Sequence, residues 1–282
     1  MVKGKIALLG GNGMLGTDIA ELFIENNLDV TVFDLPQWDI TADADIKKAV
    51  EAADIIINCA AYTNVDLAES QYDLACKINA QAVANLAEMV RKNNKYLIHI
   101  STDFVFDGKG SEPYKETDQP NPVNAYGKSK LAGERAVIDS SCDCCMIRIQ
   151  WTYGRAGNNF VKKLIERAAN TKNVKVVDDQ VGSPTATAEV AKILLQLVKQ
   201  KPIGLFHLAA DGFVSRYQMA QFIFDYLKMD VDLKPCKTAD FNSPADRPLN
   251  SRFNCDKIKS LPEIKISPWQ DQLTRFLAKL KS

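Results

Sequence analysis

The sequence has no surplus of charge of either sign. Lys and Arg total 35 of its 282 residues and Asp and Glu also total 35, so the formal net charge at pH 7 is zero. Proteins that hold nucleic acid or an anionic membrane through their overall charge carry a basic surplus. The composition therefore gives no general case for either partner, and only a local basic pocket for a phosphate group stays open.

Long apolar runs are also missing. No run in the sequence reaches the ~18 residues that a membrane-spanning helix requires. The apolar stretch Ile6–Leu9 is too short for the core of a signal peptide, and it leads into glycines instead of a cleavage site. We therefore expect a cytoplasmic protein. Its length, with 46% hydrophobic and 25% charged residues, fits one large globular domain or two small ones.

Histidine is scarce, which limits metal chemistry. Only His99 and His207 are present, and the seven cysteines form an odd, scattered set that argues against a disulfide framework. Cys142, Cys144 and Cys145 lie close together, but they enter a strand-like run and have few partners for a zinc site. We expect buried or unreactive thiols and assign no metal ligand.

Apolar runs typical of strands alternate with helical patterns in the first half of the chain. The predicted strands are residues 5–9, 30–33, 54–59, 96–100 and 144–149, and the predicted helices are residues 14–25, 44–52, 73–92 and 124–138. This alternation is typical of a parallel sheet covered by helices on both faces. The predicted fold class is α/β, a Rossmann-type doubly wound sheet that binds ligands at the carboxyl ends of its strands.

The second half of the chain is less regular. The predicted strands are residues 174–177, 205–209 and 231–234, and the predicted helices are residues 160–169, 188–199, 217–227 and 269–279. The helix and strand within residues 188–209 look like a return to the first sheet. Residues 241–252 contain two prolines and are predicted to form a surface loop. We predict a dinucleotide-binding Rossmann domain from residues 1–150 and 185–210, and a smaller α/β substrate-binding domain from residues 151–184 and 211–282.

A glycine-rich loop connects the first predicted strand to the first predicted helix. Backbone N–H groups of such a loop can approach a pyrophosphate at the N-terminus of a helix. The spacing differs from the commoner Gly-x-Gly-x-x-Gly, and plain turn chemistry is the alternative. Its place after the first strand favours a cofactor site, for which the candidate residues are Gly10, Asn12, Gly13, Met14, Leu15 and Gly16.

Two further segments are candidates for the same dinucleotide site. Asp34 ends the second predicted strand, where a carboxylate accepts hydrogen bonds from a ribose and disfavours a 2′-phosphate, so it favours NADH over NADPH. A solvated turn aspartate is the alternative, and Asp39 and Ile40, a few residues further on, are candidates to border the adenine instead. Small residues after the third predicted strand would let a cofactor lie against the backbone, although close helix packing would also use them: Ala60, Ala61 and Tyr62.

The candidate catalytic residues are Thr102, Tyr126 and Lys130. Tyr126 and Lys130 share a face if their segment is helical, and a nearby ammonium favours ionisation of a phenol whose ordinary pKa is ~10. Thr102 follows the fourth predicted strand, where its hydroxyl can polarise a carbonyl. Each feature alone is common, as a solvated helix face or a turn cap. In this order, and after the glycine loop, they predict reduction or oxidation of a carbonyl.

Several motifs resemble the extended short-chain dehydrogenase/reductase family, and within it the dTDP-4-dehydrorhamnose reductases. They are Ser-Thr-Asp-Phe-Val-Phe at 101–106, Tyr-Gly-Lys-Ser-Lys-Leu-Ala-Gly-Glu at 126–134, Trp-Thr-Tyr-Gly at 151–154 and Asp-Gln-Val-Gly-Ser-Pro-Thr at 179–185. Val-Asp-Leu-Ala-Glu at 65–69 and Arg-Pro at 247–248 fit the same pattern. The resemblance spans most of the chain and is specific between residues 58 and 185.

The resemblance implies that NADH or NADPH delivers hydride to C4 of a 4-keto-6-deoxy sugar carried on dTDP, in the synthesis of cell-surface polysaccharide precursors. It implies that Thr102 bonds the keto oxygen and that Tyr126 protonates it. Lys130 would tune Tyr126 and hold the nicotinamide ribose, so Tyr126 and Lys130 are also cofactor contacts. The sugar-pocket residues that it implies are Asp103, Phe104 and Trp151.

The chain also departs from this pattern. Phe104 stands where the family commonly has Tyr, and Gln150 where it commonly has Ser. Some members use Mg²⁺ at a dimer contact through glutamates. Asp18 and Glu189 fall near such positions without a clear third carboxylate, which leaves Mg²⁺ in doubt and the choice between monomer and homodimer open.

Two other functions stay open. A nucleotide-sugar epimerase or dehydratase would share the fold, although a dehydratase usually has an Asp-Glu pair after the threonine, where this chain has Asp103 and Phe104. A non-catalytic binding subunit, similar to the regulatory beta subunit of methionine adenosyltransferase, would keep the cofactor fold and bind a partner enzyme.

Overall fold

A computed structural model of the protein describes residues 4–281, apart from the side chain of residue 281. The strands are β1 (Ile6–Leu9), β2 (Val30–Phe33), β3 (Ile55–Asn58), β4 (Tyr96–Thr102), β5 (Cys144–Ile149), β6 (Thr152–Tyr153), β7 (Asn173–Val177), β8 (Val181–Gly182), β9 (Thr185–Ala186), β10 (Gly204–Leu208), β11 (Val214–Ser215) and β12 (Asp232–Cys236).

The α-helices are α1 (Met14–Glu25), α2 (Asp43–Glu51), α3 (Val65–Ala68), α4 (Tyr72–Cys76), α5 (Ala82–Lys92), α6 (Ala125–Ser140), α7 (Phe160–Asn170), α8 (Thr187–Gln200), α9 (Arg216–Leu227), α10 (Asp256–Lys259) and α11 (Trp269–Lys281). A π-helix spans Lys77–Gln81, and 3₁₀-helices span Asp103–Val105 and Thr238–Asp240. No helix within residues 4–281 combines the length and the apolar character needed to span a bilayer.

The main sheet has six parallel strands in the order β10-β5-β4-β3-β1-β2. The chain moves from β1 to β2 on one side and then crosses to β3 on the other side of β1. Ligands of doubly wound sheets bind in the crevice where the strand order reverses in this way. The predicted Rossmann-type α/β fold is confirmed, and the reversal of its strand order lies at β1 and β3, so a ligand crevice is expected at the carboxyl ends of these strands.

Alternating side chains of the strands build a core on each face of this sheet. Ile6 and Leu8 pack with α1 and α8 on one face. Ala7 and Leu9 pack on the opposite face, in the core that includes residues of α2, α5 and α6. Strands buried on both faces need apolar residues at successive positions, which is why these strands read as continuous apolar runs in the sequence.

A smaller core is formed mainly by the second half of the chain. Helices α7, α9 and α11 pack there with β7, which pairs in parallel with β12. Phe253, Cys255 and Ile258 belong instead to the core of the main sheet, although they lie within residues 211–282. The division into two domains stays a proposal, and this packing places the segment that contains those three residues with the larger one.

The predicted helix over residues 73–92 is present as a continuous helical run, residues 72–92, but it is not α-helical throughout. The π-helix Lys77–Gln81 separates α4 from α5. Here the chain packs very closely on α6, because a Cβ added to Gly133 would lie 2.1 Å from the carbonyl oxygen of Asn79. Single-turn π segments of this kind occur frequently at functional sites, and this one directs the Asn79 side chain towards Tyr62 and Ser129.

Candidate active site

Thr102 ends β4 and caps the 3₁₀-helix that follows it. Its hydroxyl accepts a hydrogen bond from the backbone N–H of Phe104 at 3.2 Å and lies 3.2 Å from Oδ1 of Asp103, to which it donates. Ser251 donates to Oδ2 of Asp103 at 2.5 Å. Burial raises the pKa of Asp103 to about 6. These two hydroxyl groups and the charge of Arg216 lower the same pKa and only partly offset the effect of burial. The turn therefore presents a fixed hydroxyl beside a buried carboxyl group.

Tyr126 lies in the first turn of α6, next to Thr102. Asn124 caps this helix by accepting a hydrogen bond from the backbone N–H of Gly127 at 2.8 Å, and Glu69 accepts one from Ala125 at 2.8 Å. The Tyr126 side chain is nearly buried, and burial raises the pKa of its phenol to about 12, with a partial opposing effect from the Thr102 hydroxyl. The hydroxyl groups of Thr102 and Tyr126 therefore meet at the same edge of the sheet.

Lys130 is buried on the same helix and points to the sheet. Its Nζ donates to the carbonyl oxygen of Ile100 at 2.8 Å. Burial lowers its pKa to about 8, which the charges of Glu134 and Cys59 partly oppose. Burial dominates the pKa of the Tyr126 phenol and the opposing contribution comes from Thr102, so the effect of Lys130 on Tyr126 stays a prediction.

A buried ion pair lies beneath Lys130. Glu134 receives two hydrogen bonds from the Arg148 guanidinium, at 2.8 and 2.6 Å, with both side chains 3% exposed or less. Ser101 also donates to Glu134, and Arg148 lies 3.3 Å from His207. Charged pairs withdrawn from water need this full set of partners. The pair ties α6 to β4 and β5 at the level of the catalytic candidates.

The glycine loop fits a dinucleotide. Gly10 has a φ of +73°, and a Cβ on it would lie 2.6 Å from the backbone nitrogen of Ala60, so the loop touches the end of β3. Helix α1 starts after Gly13 with no side-chain cap and no acidic residue in its first turn. The N–H groups of Met14 and Leu15 belong to this uncapped turn, which is suited to a phosphate group. Gly16 packs closely on Gly10.

The acidic candidate at the end of β2 braces the loop. Asp34 accepts hydrogen bonds from the backbone N–H groups of Asn12 at 2.7 Å and Leu35 at 2.8 Å. Asp39 accepts one from Thr41 at 2.8 Å, and Ile40 is buried in the core of the α2 face. The structure therefore places Asp34 at the loop, whereas Asp39 and Ile40 have local structural roles. Their contacts with a cofactor stay predictions.

The candidates after β3 lie opposite the glycine loop. The side chain of Asn58 fixes Ala60 by accepting a hydrogen bond from the backbone N–H of Ala60 at 3.0 Å. Tyr62 exchanges two backbone hydrogen bonds with the side chain of Asn79, at 2.9 and 3.0 Å. Ala61 lies between them and is partly exposed. The segment after the third strand is therefore fixed by side-chain hydrogen bonds at the crevice where a cofactor would bind.

A cavity of about 940 Å³ lies between the main sheet and the smaller core. Phe104 and Trp151 line it, together with Phe160, Arg216 and the segment that contains Arg247. The Phe104 ring meets the Tyr126 ring edge-on, with 5.5 Å between the ring centroids. The predicted sugar-pocket residues Phe104 and Trp151 therefore share one cavity next to Tyr126, while Asp103 lies buried behind it.

Sequence reasoning missed several residues of the site. Arg216 stacks on Trp151, and Ser251 bonds Asp103, although both come from parts of the chain distant from their partners. Asp66 forms an ion pair with Arg247 across the cavity rim, with 2.9 Å between Oδ2 and the guanidinium. Asp66 and Arg247 lie in motifs that the family resemblance already marked. For Arg216 and Ser251 the sequence carries no local signal.

The carboxylates considered for Mg²⁺ have other partners. Asp18 accepts a hydrogen bond from the hydroxyl of Thr187, and Glu189 pairs with Lys192 at 2.7 Å and Arg275 at 3.1 Å. Within residues 4–281 no three His, Cys, Asp or Glu side chains come together as a metal site would need. Within this chain Asp18 and Glu189 are therefore already engaged by hydroxyl and basic side chains.

Known proteins match this chain over nearly its full length. A family model described as the RmlD substrate binding domain matches residues 4–282. A dTDP-4-dehydrorhamnose reductase from Aggregatibacter actinomycetemcomitans is 35% identical over 289 residues, which cover 97% of this chain and 98% of the relative.

Solved structures show the same similarity. A dTDP-4-dehydrorhamnose reductase from Clostridium acetobutylicum superposes with a TM-score of 0.95 at 38% identity, covering 99% of this chain and 100% of that one. The Bacillus anthracis dTDP-4-dehydrorhamnose reductase, solved in complex with NADP, gives a TM-score of 0.94 at 36% identity, covering 98% of this chain and 99% of that one.

Proposed function

The chain belongs to the RmlD substrate binding domain family, and from that premise we propose that it is an NAD(P)H-dependent oxidoreductase that reduces a dTDP-linked sugar. Its substrate is dTDP-4-dehydro-L-rhamnose, whose C4 keto group becomes the hydroxyl of dTDP-L-rhamnose. The relatives named as this reductase and the NADP complex of the Bacillus anthracis structure support this assignment. The observation that carries it is that Tyr126 bonds Thr102 and packs on Phe104, which lines the cavity, while Lys130 bonds Ile100 on the strand that ends at Thr102.

The reduced nicotinamide supplies a hydride when it is bound in the crevice at β1 and β3. The glycine loop and the uncapped N-terminus of α1 hold the pyrophosphate. Lys130 is placed to hold the nicotinamide ribose. The strand order supports these positions, because the ends of β1, β3 and β4 lie side by side in the sheet.

Thr102 and Tyr126 act on the keto oxygen of the sugar. The Thr102 hydroxyl, which donates to Asp103 when no substrate is bound, turns its proton to this oxygen and stabilises the negative charge that develops there. Tyr126 transfers its phenolic proton to the oxygen as C4 accepts hydride, and it later regains a proton from solvent. Because burial raises the pKa of Tyr126 to about 12, the phenol is protonated at neutral pH, as a proton donor must be.

Oxidation of NADPH in the presence of nucleotide-linked keto sugars tests the proposal. The purified protein is assayed at 340 nm with dTDP-4-dehydro-L-rhamnose and with UDP- and GDP-linked 4-keto sugars, using NADPH and NADH in parallel. We expect oxidation with the dTDP sugar and little with the others. Turnover of a nucleotide sugar without added cofactor would instead indicate an epimerase. Cofactor binding without oxidation of any substrate would indicate a binding subunit.

A further inference from the structure

Arg216 is the first residue of α9 and lines the large cavity. Ser215 caps the helix and forms a capping box with Gln218, which accepts the backbone N–H of Ser215 at 3.0 Å. The backbone N–H of Arg216 bonds the carbonyl oxygen of Gln180 at 3.2 Å. The base of the side chain is therefore fixed from both sides.

Two aromatic rings hold the Arg216 guanidinium. Its central carbon lies 3.6 Å from the centroid of the Trp151 ring and 4.7 Å from that of Phe160. Trp151 is itself fixed, with a φ of +45° and with Gly182 so close that an added Cβ would lie 2.7 Å from the indole. A planar guanidinium stacked on aromatic rings keeps its edge N–H groups free to bind an anion.

The guanidinium has no carboxylate partner within salt-bridge distance among residues 4–281. Asp103 attracts it at longer range, but that carboxyl group is bonded by Ser251 and Thr102. Burial lowers the pKa of Arg216 to about 9, so it is charged at neutral pH. A cation that is partly withdrawn from water without a bonded anion is costly unless a ligand supplies one.

Three other cations near the cavity differ from Arg216 because their side chains have hydrogen-bond or ion-pair partners. Arg247 pairs with Asp66, Arg252 bonds Asn250 at 2.9 Å, and Lys162 bonds backbone carbonyl groups. Lys163 and Arg167 on α7 and Lys175 on β7 line the same cavity, and their charges raise the local concentration of an anionic ligand. Arg216 alone among these cations combines aromatic support, burial and open donors.

We propose that Arg216 binds the diphosphate group of the nucleotide sugar. A guanidinium can give a phosphate group two parallel hydrogen bonds, which fix its position as well as its charge. An anion held at Arg216 lies in the same cavity as Phe104 and Trp151, so the attached sugar ring is directed to Thr102 and Tyr126. This assignment rests on the proposed function, since it takes a nucleoside diphosphate sugar as the ligand of the cavity.

Calorimetric titration with dTDP and with thymidine tests the assignment without any turnover. The two ligands differ only in the diphosphate, and the proteins compared are the wild type, Arg216→Met, Arg216→Lys and the control Arg91→Met. Arg91 pairs with Glu88 on the exposed side of α5, so its removal changes the net charge equally at a distance. NADPH binding and thermal unfolding of each variant show whether it is folded.

We expect Arg216→Met to weaken dTDP binding by about 10- to 100-fold, the usual effect of losing hydrogen bonds to a charged group. Thymidine binding should stay within about twofold of the wild type, Arg216→Lys should lie between the two, and Arg91→Met should match the wild type. Unchanged dTDP affinity in folded Arg216→Met, an equal loss for thymidine, or no dTDP binding by the wild type would overturn the assignment.

The outcomes separate this assignment from the proposed reaction. If no keto sugar is reduced and Arg216→Met still weakens dTDP binding selectively, the reaction is refuted and the diphosphate site stands. If the keto sugar is reduced and Arg216→Met leaves its KM unchanged, the diphosphate site is refuted and the reaction stands.

Discussion

The ammonium group of Lys130 donates a hydrogen bond to the carbonyl oxygen of Ile100 at 2.8 Å, on the strand that ends at Thr102. Lys130 follows Tyr126 by one helical turn, and yet its ammonium bonds the sheet, while burial is the largest influence on the pKa of the phenol. This geometry separates two tasks. Tyr126 keeps its proton through burial, and Lys130 places a positive charge at the end of β4, where the ribose of a nicotinamide nucleotide is expected.

Substitution of Tyr126 by Phe removes the proton donor while it keeps the ring that packs on Phe104. We expect turnover with the dTDP keto sugar to fall by at least ~10²-fold, as is usual when a general acid is lost. The affinity for NADPH, measured by fluorescence titration, should change little. Turnover like that of the wild type would exclude Tyr126 as the donor.

The activity should fall as the pH rises through about 8. Lys130 has a pKa lowered to about 8 by burial, so it is charged below this pH and neutral above it. The groups around it titrate elsewhere, since the pKa of Cys59 is raised to about 12 and that of His99 is lowered well below its ordinary value. A plot of kcat/KM against pH checks this. A profile that stays flat from pH 7 to 9 would contradict the role of Lys130.

Removal of the negative charge of Glu134 should move this alkaline limb to lower pH, because that charge raises the pKa of Lys130. Glu134→Gln also breaks a buried ion pair, at a cost of about 3–5 kcal/mol of stability. Arg148→Gln breaks the same pair and keeps the carboxylate, so it serves as the matched control. The alkaline limb of the pH profile of Arg148→Gln should not move to lower pH. Equal shifts in both variants would mean that lost packing, and not charge, sets the limb.

Gly10 and Gly13 should respond differently to substitution by Ala. Gly10→Ala places a Cβ 2.6 Å from the nitrogen of Ala60 in a left-handed conformation, so the melting temperature and NADPH binding should both decrease. Gly13→Ala meets only a carbonyl oxygen at 3.2 Å, so it should weaken NADPH binding at nearly normal stability. Gly110→Ala, which meets the Tyr114 hydroxyl at 3.4 Å, is the neutral control. Unchanged cofactor affinity in Gly13→Ala would place the pyrophosphate elsewhere.

The ion pair of Asp66 and Arg247 should affect substrate binding more than stability. Asp66 also accepts hydrogen bonds from Ser243 at 3.2 Å and Ala245 at 3.4 Å, so it fixes one rim of the cavity. The pair is partly exposed, and such pairs contribute only about 0–1 kcal/mol to folding. Asp66→Asn should raise the KM for the sugar nucleotide several-fold and leave the melting temperature almost unchanged. Asp43→Asn, which likewise removes the negative charge of an exposed acceptor, here of Asn85, is the control. An unaltered KM would mean that this rim does not contact the substrate.

Much of the fold could be predicted because its strands are short apolar runs separated by clear breaks. The predicted bounds of α1, β2 and β5 coincide with those observed, and β10 joins the main sheet as expected. The π-helix Lys77–Gln81 was missed because one additional residue in a turn leaves the apolar pattern almost unchanged. The close approach of Asn79 to Gly133 on α6 is visible only in the folded chain.

The candidate site was predictable where its residues share a motif. Thr102, Tyr126 and Lys130 lie together because adjacent parallel strands and the following helix bring their motifs to one edge of the sheet. Arg216 and Trp151 are far apart in the sequence, so their contact depends on how the smaller core folds. The pKa of Tyr126 was equally hidden, because burial and the direction of the Lys130 side chain are properties of the folded chain.

Transfer of deuterium from labelled NADPH tests the proposed reaction most directly. The protein is incubated with dTDP-4-dehydro-L-rhamnose and NADPH that carries deuterium at either of its two transferable positions, and the product is examined by NMR. The proposal predicts dTDP-L-rhamnose with deuterium at C4 from one of the two labelled cofactors. A product without deuterium at C4 from either cofactor, or no product with the wild-type protein, would contradict it.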